Sequence, residues 1–173
     1  RLSNPKSGKS TQFAIFGQNG VLDFEIISKG KSAHSSMPEL GINAIDNLQE
    51  YMNEQKNYFD KLAGINVSGL GKIIPVNSII SGGEQINSVP AYAKLTTKVR
   101  TTTTVNSKRI ITDLKNIIRE MNKFSDMNLE FNVLRQLDPV VTSKDSPIIK
   151  LVSMYGQEFF KQKINLRTVA GTT

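Results

Sequence analysis

Hydrophobic positions keep two different rhythms along this chain, and the switches between them outline its elements. Leu22, Phe24 and Ile26 alternate with Asp23 and Glu25, a period of two that predicts a half-buried strand over 21–28. A loop of small and polar residues follows, Lys29 to Pro38, and the proline excludes a regular helix just before it. From Asn43 the spacing lengthens. Ile45, Leu48, Met52, Phe59 and Leu62 share one helical face, which predicts a helix over 43–63 with Asn43 as its N-cap and Gly64 as its stop. Two β-branched runs come next, Lys72–Ser81 and Val89–Thr101, and the glycines of the 82–88 connector suit a wide hairpin. Ile110, Leu114, Ile117, Ile118 and Met121 mark a second helix over 106–124. Leu129, Phe131 and Val133 mark a last strand over 128–136.

The order is β-α-β-β-α-β. Two such halves give an α+β, ferredoxin-like sandwich, a four-stranded antiparallel sheet with both helices on one face. Its open edges need cover, so pairing with a second copy is expected. The flanks do not belong to this unit. Residues 1–19 are a polar opening with a strand-like run at Thr11–Phe16. Residues 138–173 are a linker and a helix that Asp145 or Ser146 can cap and Pro147 can open. That helix carries Ile148, Leu151, Val152, Tyr155 and Phe159 on one face, and the sheet unit offers them no obvious cover. Three parts are therefore expected: a flank over 1–19, a sheet domain over 20–137, and a linker and helix over 138–173. The flanks read as pieces of a second, missing domain. The ends, Arg1 and Ala170-Gly171-Thr172-Thr173, also read as cuts in a longer protein.

Composition narrows the chemistry. The 173 residues carry 22 Lys+Arg against 15 Asp+Glu, a formal charge of +7, but the basic residues are scattered and there is no tryptophan. Surface charge is the expected reading, and no nucleic-acid partner is expected. No apolar run approaches the ~18 residues of a membrane span, so no membrane partner is expected. The absence of cysteine excludes disulfides and Cys-ligated zinc, and fits a reducing, cytoplasmic compartment. His34 is the sole histidine, so the chain cannot build a two-His zinc site from its own residues. Gly8-Lys9-Ser10-Thr11 looks like the tail of a phosphate loop. However, Ser3 stands where that motif needs glycine, and a strand follows where a helix should.

Three segments in order carry a family resemblance: Gly30-Lys31-Ser32-Ala33-His34-Ser35-Ser36-Met37-Pro38-Glu39-Leu40-Gly41-Ile42-Asn43-Ala44-Ile45, then Ser81-Gly82-Gly83-Glu84-Gln85-Ile86-Asn87-Ser88-Val89-Pro90, then Lys98-Val99-Arg100. Together they resemble the lid, or dimerisation, domain of the two-zinc amidohydrolase and metallopeptidase family, on its desuccinylase/deacetylase branch. The resemblance covers about 20–137. It implies a parent hydrolase that cleaves the amide bond of an N-acyl amino acid or peptide, with succinyl-diaminopimelate as first choice of substrate and acetylornithine or a dipeptide behind it. It implies two zinc ions held by the catalytic domain and none by this chain, which would be inert alone, and a homodimer formed through the lid.

By the same resemblance His34 crosses to the partner's site and stabilises the oxyanion of the scissile carbonyl. Asn87 binds polar groups of the substrate, and Arg100 holds its carboxylate. Gly171, Thr172 and Thr173 would offer donors to that carboxylate. Two other readings compete: a free-standing ferredoxin-like binding module, and a dimerisation module in which His34 has no chemical role.

Overall fold

The computed structural model describes residues 2–3, 10–124 and 126–170. Its elements are β1 (Leu2–Ser3), β2 (Ser10–Thr11), β3 (Phe13–Gln18), β4 (Gly20–Lys29), α1 (Ala44–Leu62), β5 (Ile74–Gly82), β6 (Tyr92–Thr101), α2 (Ser107–Met121), β7 (Leu129–Leu137), β8 (Val140–Val141), α3 (Pro147–Phe160) and β9 (Asn165–Val169). The expected β-α-β-β-α-β order is β4-α1-β5-β6-α2-β7. These four strands form one antiparallel sheet in the spatial order β5-β6-β4-β7. The fold is α+β and ferredoxin-like.

One face of this sheet is dry. Leu22, Phe24 and Ile26 of β4 and Ala93, Leu95 and Val99 of β6 point under the helices. Leu48, Tyr51, Phe59 and Leu62 of α1, with Ile110, Leu114 and Ile118 of α2, complete that core. The periods of two and of three to four therefore meet on one surface, which is what sets the register. Phe24 stacks on Phe131 across the β4–β7 pair, with ring centroids 4.9 Å apart. Asn43 caps α1, its side chain accepting from the N–H groups of Ile45 and Asp46. Asn106 caps α2 through the N–H of Arg109. The other face carries charges in pairs: Lys98 meets Asp23 at 3.0 Å, Lys94 meets Glu25 at 3.7 Å, and Lys29 meets Glu130. Part of the basic excess is thus neutralised locally.

Four details differ from the sequence expectations. Helix α1 ends at Leu62, just before Gly64 as expected, but without a left-handed glycine: Gly64 keeps a φ outside the positive range, and the Ala63 N–H returns to the carbonyl of Asp60 at 3.2 Å. Strand β6 starts at Tyr92 rather than Val89, because the Val89 N–H is drawn to Ala33 and Pro90 has no N–H to give. The linker after Pro139 contains a strand, β8, and the tail contains another, β9. Both pair with β3 in a separate sheet, ordered β8-β3-β9, with β9 parallel to β3. Finally, the strand-like run expected at Thr11–Phe16 is divided between β2, which ends at Thr11, and β3, which starts at Phe13, and Gly8 and Lys9 lie outside the described residues.

The third helix buries a different side from the one its pattern advertised. Ile149 is buried, with Ile164 packing against Gly156. Ile148, Leu151, Val152, Tyr155 and Phe159 are all exposed, Phe159 to 80%. Among the described residues no helix is long and apolar enough to cross a membrane.

Candidate functional site

The loop after β4 and the connector between β5 and β6 form one unit. Gly30 begins it. Its N–H reaches the Ala91 carbonyl at 2.8 Å, and a Cβ there would collide with the Ile42 carbonyl, so only glycine admits this approach. Lys31 and Ile42 then exchange both backbone hydrogen bonds at 2.9 Å, closing the loop on itself. On its other side the loop is laced to the connector. Val89 donates to Ala33 at 2.8 Å, Ser35 donates to Asn87 at 3.0 Å, and His34 and Ser88 form a β-bridge. The connector turns at Gly83, whose φ of 74° suits glycine. Gly82, read as a second turn former, instead ends β5 with close packing against Ala93.

This lacing holds His34 and Asn87 side by side at one end of the sheet. Both are exposed, as is Ile86 beside them. The His34 carbonyl accepts from Met37 at 2.9 Å, and its Nδ1 lies 2.8 Å from the Ser36 hydroxyl and 3.2 Å from the Ser36 N–H. The Nε2 edge makes no hydrogen bond within the described residues. A cavity of about 270 Å³ opens next to the unit, with Ser32, Ser81, Glu84, Ser88 and Tyr92 among its lining residues. The exposed imidazole and the exposed amide can together meet a polar or anionic group.

Arg100 is not brought to this end. It lies eight residues beyond Tyr92 on β6, roughly 27 Å along the strand at ~3.4 Å per residue. There it sits between Val21 and Ile74 on the open face, with Nη1 buried and without a hydrogen-bond partner among the described residues. A buried guanidinium nitrogen with no partner is costly and suits an incoming carboxylate. Gly171, Thr172 and Thr173 lie outside the described residues. Among the described residues no three His, Asp or Glu side chains come together in a way that could hold a metal ion. The zinc pair that the resemblance implies therefore does not fit this chain's described residues. Ser36 and Ser88 escaped sequence reasoning, because serines in a loop carry no period. Only the proximity of Ser36 to the lone histidine could have drawn attention to it.

Fold and loops define an α+β sheet-and-helix domain that presents an imidazole and an amide at one end and a guanidinium at the other. The family description "Peptidase dimerisation domain" matches residues 16–126, and the chain belongs to that family. A protein named probable succinyl-diaminopimelate desuccinylase from Staphylococcus epidermidis is 26% identical over 187 residues, covering 95% of this chain and 45% of the relative. One of the same name from Staphylococcus aureus is 28% identical over 182 residues, covering 91% of this chain and 45% of the relative. The chain thus spans less than half the length of these curated relatives. Among solved structures, a tripeptidase from Staphylococcus aureus superposes with a TM-score of 0.69 at 15% identity, over 96% of this chain and 42% of that one. An amidase of the hydantoinase/carbamoylase family from Burkholderia phymatum gives 0.68 at 14% identity, over 91% and 38%. At these identities the structures speak for the fold.

Proposed function

We propose that this chain is the lid and dimerisation portion of a zinc-dependent hydrolase that cleaves the amide bond of an N-acyl amino acid in the cytoplasm. The names of the relatives support succinyl-diaminopimelate as the first substrate to try. The metal ions belong to residues other than those described here. The lid alone is inactive, and its contribution is made through dimerisation.

The observation that carries this reading is the edge strand β5. All nine of its residues are exposed, and Ile74, Val76, Ile79 and Ile80 present apolar side chains along an unpaired row of N–H and C=O groups. A second copy pairing there around a two-fold axis runs antiparallel. The His34–Asn87 end of one copy then faces the Arg100 end of the other, so two half-sites that one copy keeps apart are joined. In that arrangement Arg100 holds a substrate carboxylate. Asn87 orients a polar group, and the Nε2–H of His34 meets the oxyanion that develops on the scissile carbonyl.

The test has two parts. Light scattering of this chain should give twice its mass. In the longer protein that contains it, His34→Ala should lower kcat by about 10²–10³-fold, the usual loss for one oxyanion donor, with zinc content and dimer unchanged. A monomer in both forms, or full activity in His34→Ala, overturns the reading.

A further inference from the structure

His34 is held by a residue that no functional role has yet claimed. Both polar atoms of Ser36 that can donate a hydrogen bond meet the same ring nitrogen. The backbone N–H lies 3.2 Å from Nδ1 and the hydroxyl oxygen 2.8 Å from it. The hydroxyl could give or take a proton, but the amide N–H can only give one. A nitrogen that accepts from an amide cannot itself carry a proton in the neutral ring. The proton of neutral His34 is then left on Nε2.

We propose that Ser36 is a positioning residue for His34: it fixes the Nε2–H tautomer and turns that one N–H donor outward, toward an anionic oxygen such as a carboxylate or a tetrahedral oxyanion. The inference deepens the reading of His34 given above and rests on it for its purpose, though not for its chemistry. A free neutral imidazole exchanges between two tautomers, and in the Nδ1–H form Nε2 presents a lone pair that would repel an oxyanion. Ser36 removes that competing state before any ligand arrives. The surrounding backbone keeps Ser36 in place. The Ser35 N–H is fixed on Asn87 and the Met37 N–H on the His34 carbonyl, so residue 36 is pinned from both sides.

Because His34 is the sole histidine, the tautomer can be read without ambiguity from long-range ¹H–¹⁵N correlation spectra of the uniformly labelled chain. The spectra are recorded in the alkaline range where the ring signals no longer change with pH, so that only the neutral ring is read. The expected spectrum has two well-separated ring nitrogens, Nδ1 bare and Nε2 protonated. Ser36→Ala keeps the N–H and loses the hydroxyl, and Ser36→Pro loses both. Ser36→Ala, which keeps the amide donor, should draw the two nitrogen shifts only part of the way toward the averaged pattern of free histidine, Ser36→Pro should draw them the whole way, and Ser36→Thr should match the parent chain. The Ser35 and Val89 amides report on loop integrity in Ser36→Ala; where Ser36→Pro loses them, the comparison of the parent chain with Ser36→Ala decides.

An averaged or Nδ1-protonated ring in the parent chain overturns the inference, as does an unchanged pattern in every variant that keeps the loop. Failure of the functional reading looks different. There, His34→Ala leaves hydrolysis by the longer protein intact while the tautomer stays fixed. If the inference alone fails, His34→Ala is inactive and the tautomer is mixed. In the longer protein Ser36→Ala should lower kcat by less than the ~10²-fold of deleting the donor, with KM held.

Discussion

Helices α1 and α3 both carry an apolar stripe, yet they meet opposite fates. α1 buries Ala44, Leu48, Tyr51, Phe59 and Leu62 against the four-stranded sheet, and its first turn is capped by Asn43. α3 buries only Ile149, leaves seven large apolar residues exposed from Ile148 to Phe160, and has Ser146 at its N-cap with no side-chain hydrogen bond. The same split runs through the whole chain. Every member of the main core cluster lies between Leu22 and Leu129, while among the described residues the large apolar side chains buried on the side of β3, α3 and β9 are Phe16, Ile149 and Ile164. One region closes its own core, and the other leaves most of its apolar side chains exposed. An amphipathic pattern states that a face must be covered, but not that the cover lies within reach. The curated relatives this chain matches are more than twice as long as it is.

The largest expected effect tests this difference directly. Phe24 is fully buried and stacked on Phe131, so Phe24→Ala should cost about 3–5 kcal/mol, enough to leave a small domain barely folded. Ile149→Ala removes a buried side chain from a site that solvent already borders, and should cost about 2 kcal/mol, the low end for such truncations. Urea midpoints followed by circular dichroism compare the two. Equal losses would show that the flank is as self-sufficient as the sheet unit, and the contrast would collapse.

The second test asks which exposed apolar surface associates. Ile79→Lys places a charge in the middle of β5, where edge pairing would bury it. It should weaken dimerisation more than tenfold, about 1.4 kcal/mol, while leaving monomer stability within about 0.5 kcal/mol. Leu151→Lys makes the same change on α3 and should leave the mass unchanged. Light scattering across a dilution series distinguishes them; a mass that falls only for Leu151→Lys would move the interface to the flank.

How far these two regions could be read from the sequence follows the same physics. The sheet unit was legible because its strands and helices each bury one face on a shared core, so burial repeats at a fixed period. The start of α1 was legible through its N-cap Asn43, and α2 through the helical spacing of Ile110, Leu114, Ile118 and Met121. Strands β8 and β9 were not, because Val140–Val141 is two residues long and Asn165–Val169 gains its pairing from β3, more than 140 positions away. No period survives such a distance. His34, Asn87 and Arg100 were found from motif resemblance, and the lacing of His34 to Asn87 needed coordinates. It is made by backbone groups of Ala33, Ser35, Asn87 and Val89, whose side chains do not encode it.

A smaller effect should separate the capped helix from the uncapped one. The Asn43 side chain accepts from two orphan amides of α1, so Asn43→Ala should cost about 1 kcal/mol. Ser146→Ala removes a side chain that accepts nothing at the start of α3, and should cost no more than a few tenths. The two single variants, unfolded in urea under identical conditions, supply the comparison. A loss near 1 kcal/mol in Ser146→Ala would mean that its hydroxyl reaches the helix in solution.

The smallest effect concerns a polar atom inside the better-packed region. Tyr51 is fully buried on α1, and its hydroxyl has no hydrogen-bond partner among the described residues. Burial pushes its phenol well above the usual tyrosine range. Tyr58 moves the same way, through burial first and then through the hydrogen bond that its hydroxyl donates to Asp113 at 2.9 Å. The folded state therefore keeps protons that the unfolded chain releases near pH 10. The associated stability is fully present below that value and falls as the pH rises through it. At pH 7, Tyr51→Phe removes an unpartnered hydroxyl and should be neutral or stabilising by up to about 1 kcal/mol. Between pH 7 and about 10.5 the variant should lose less stability than the parent, since one raised phenol is gone while Tyr58 remains. Urea midpoints at the two pH values measure both effects. A clear destabilisation at pH 7 would mean that the Tyr51 hydroxyl is hydrogen-bonded after all, and an alkaline loss equal to the parent's would mean that solvent reaches its phenol.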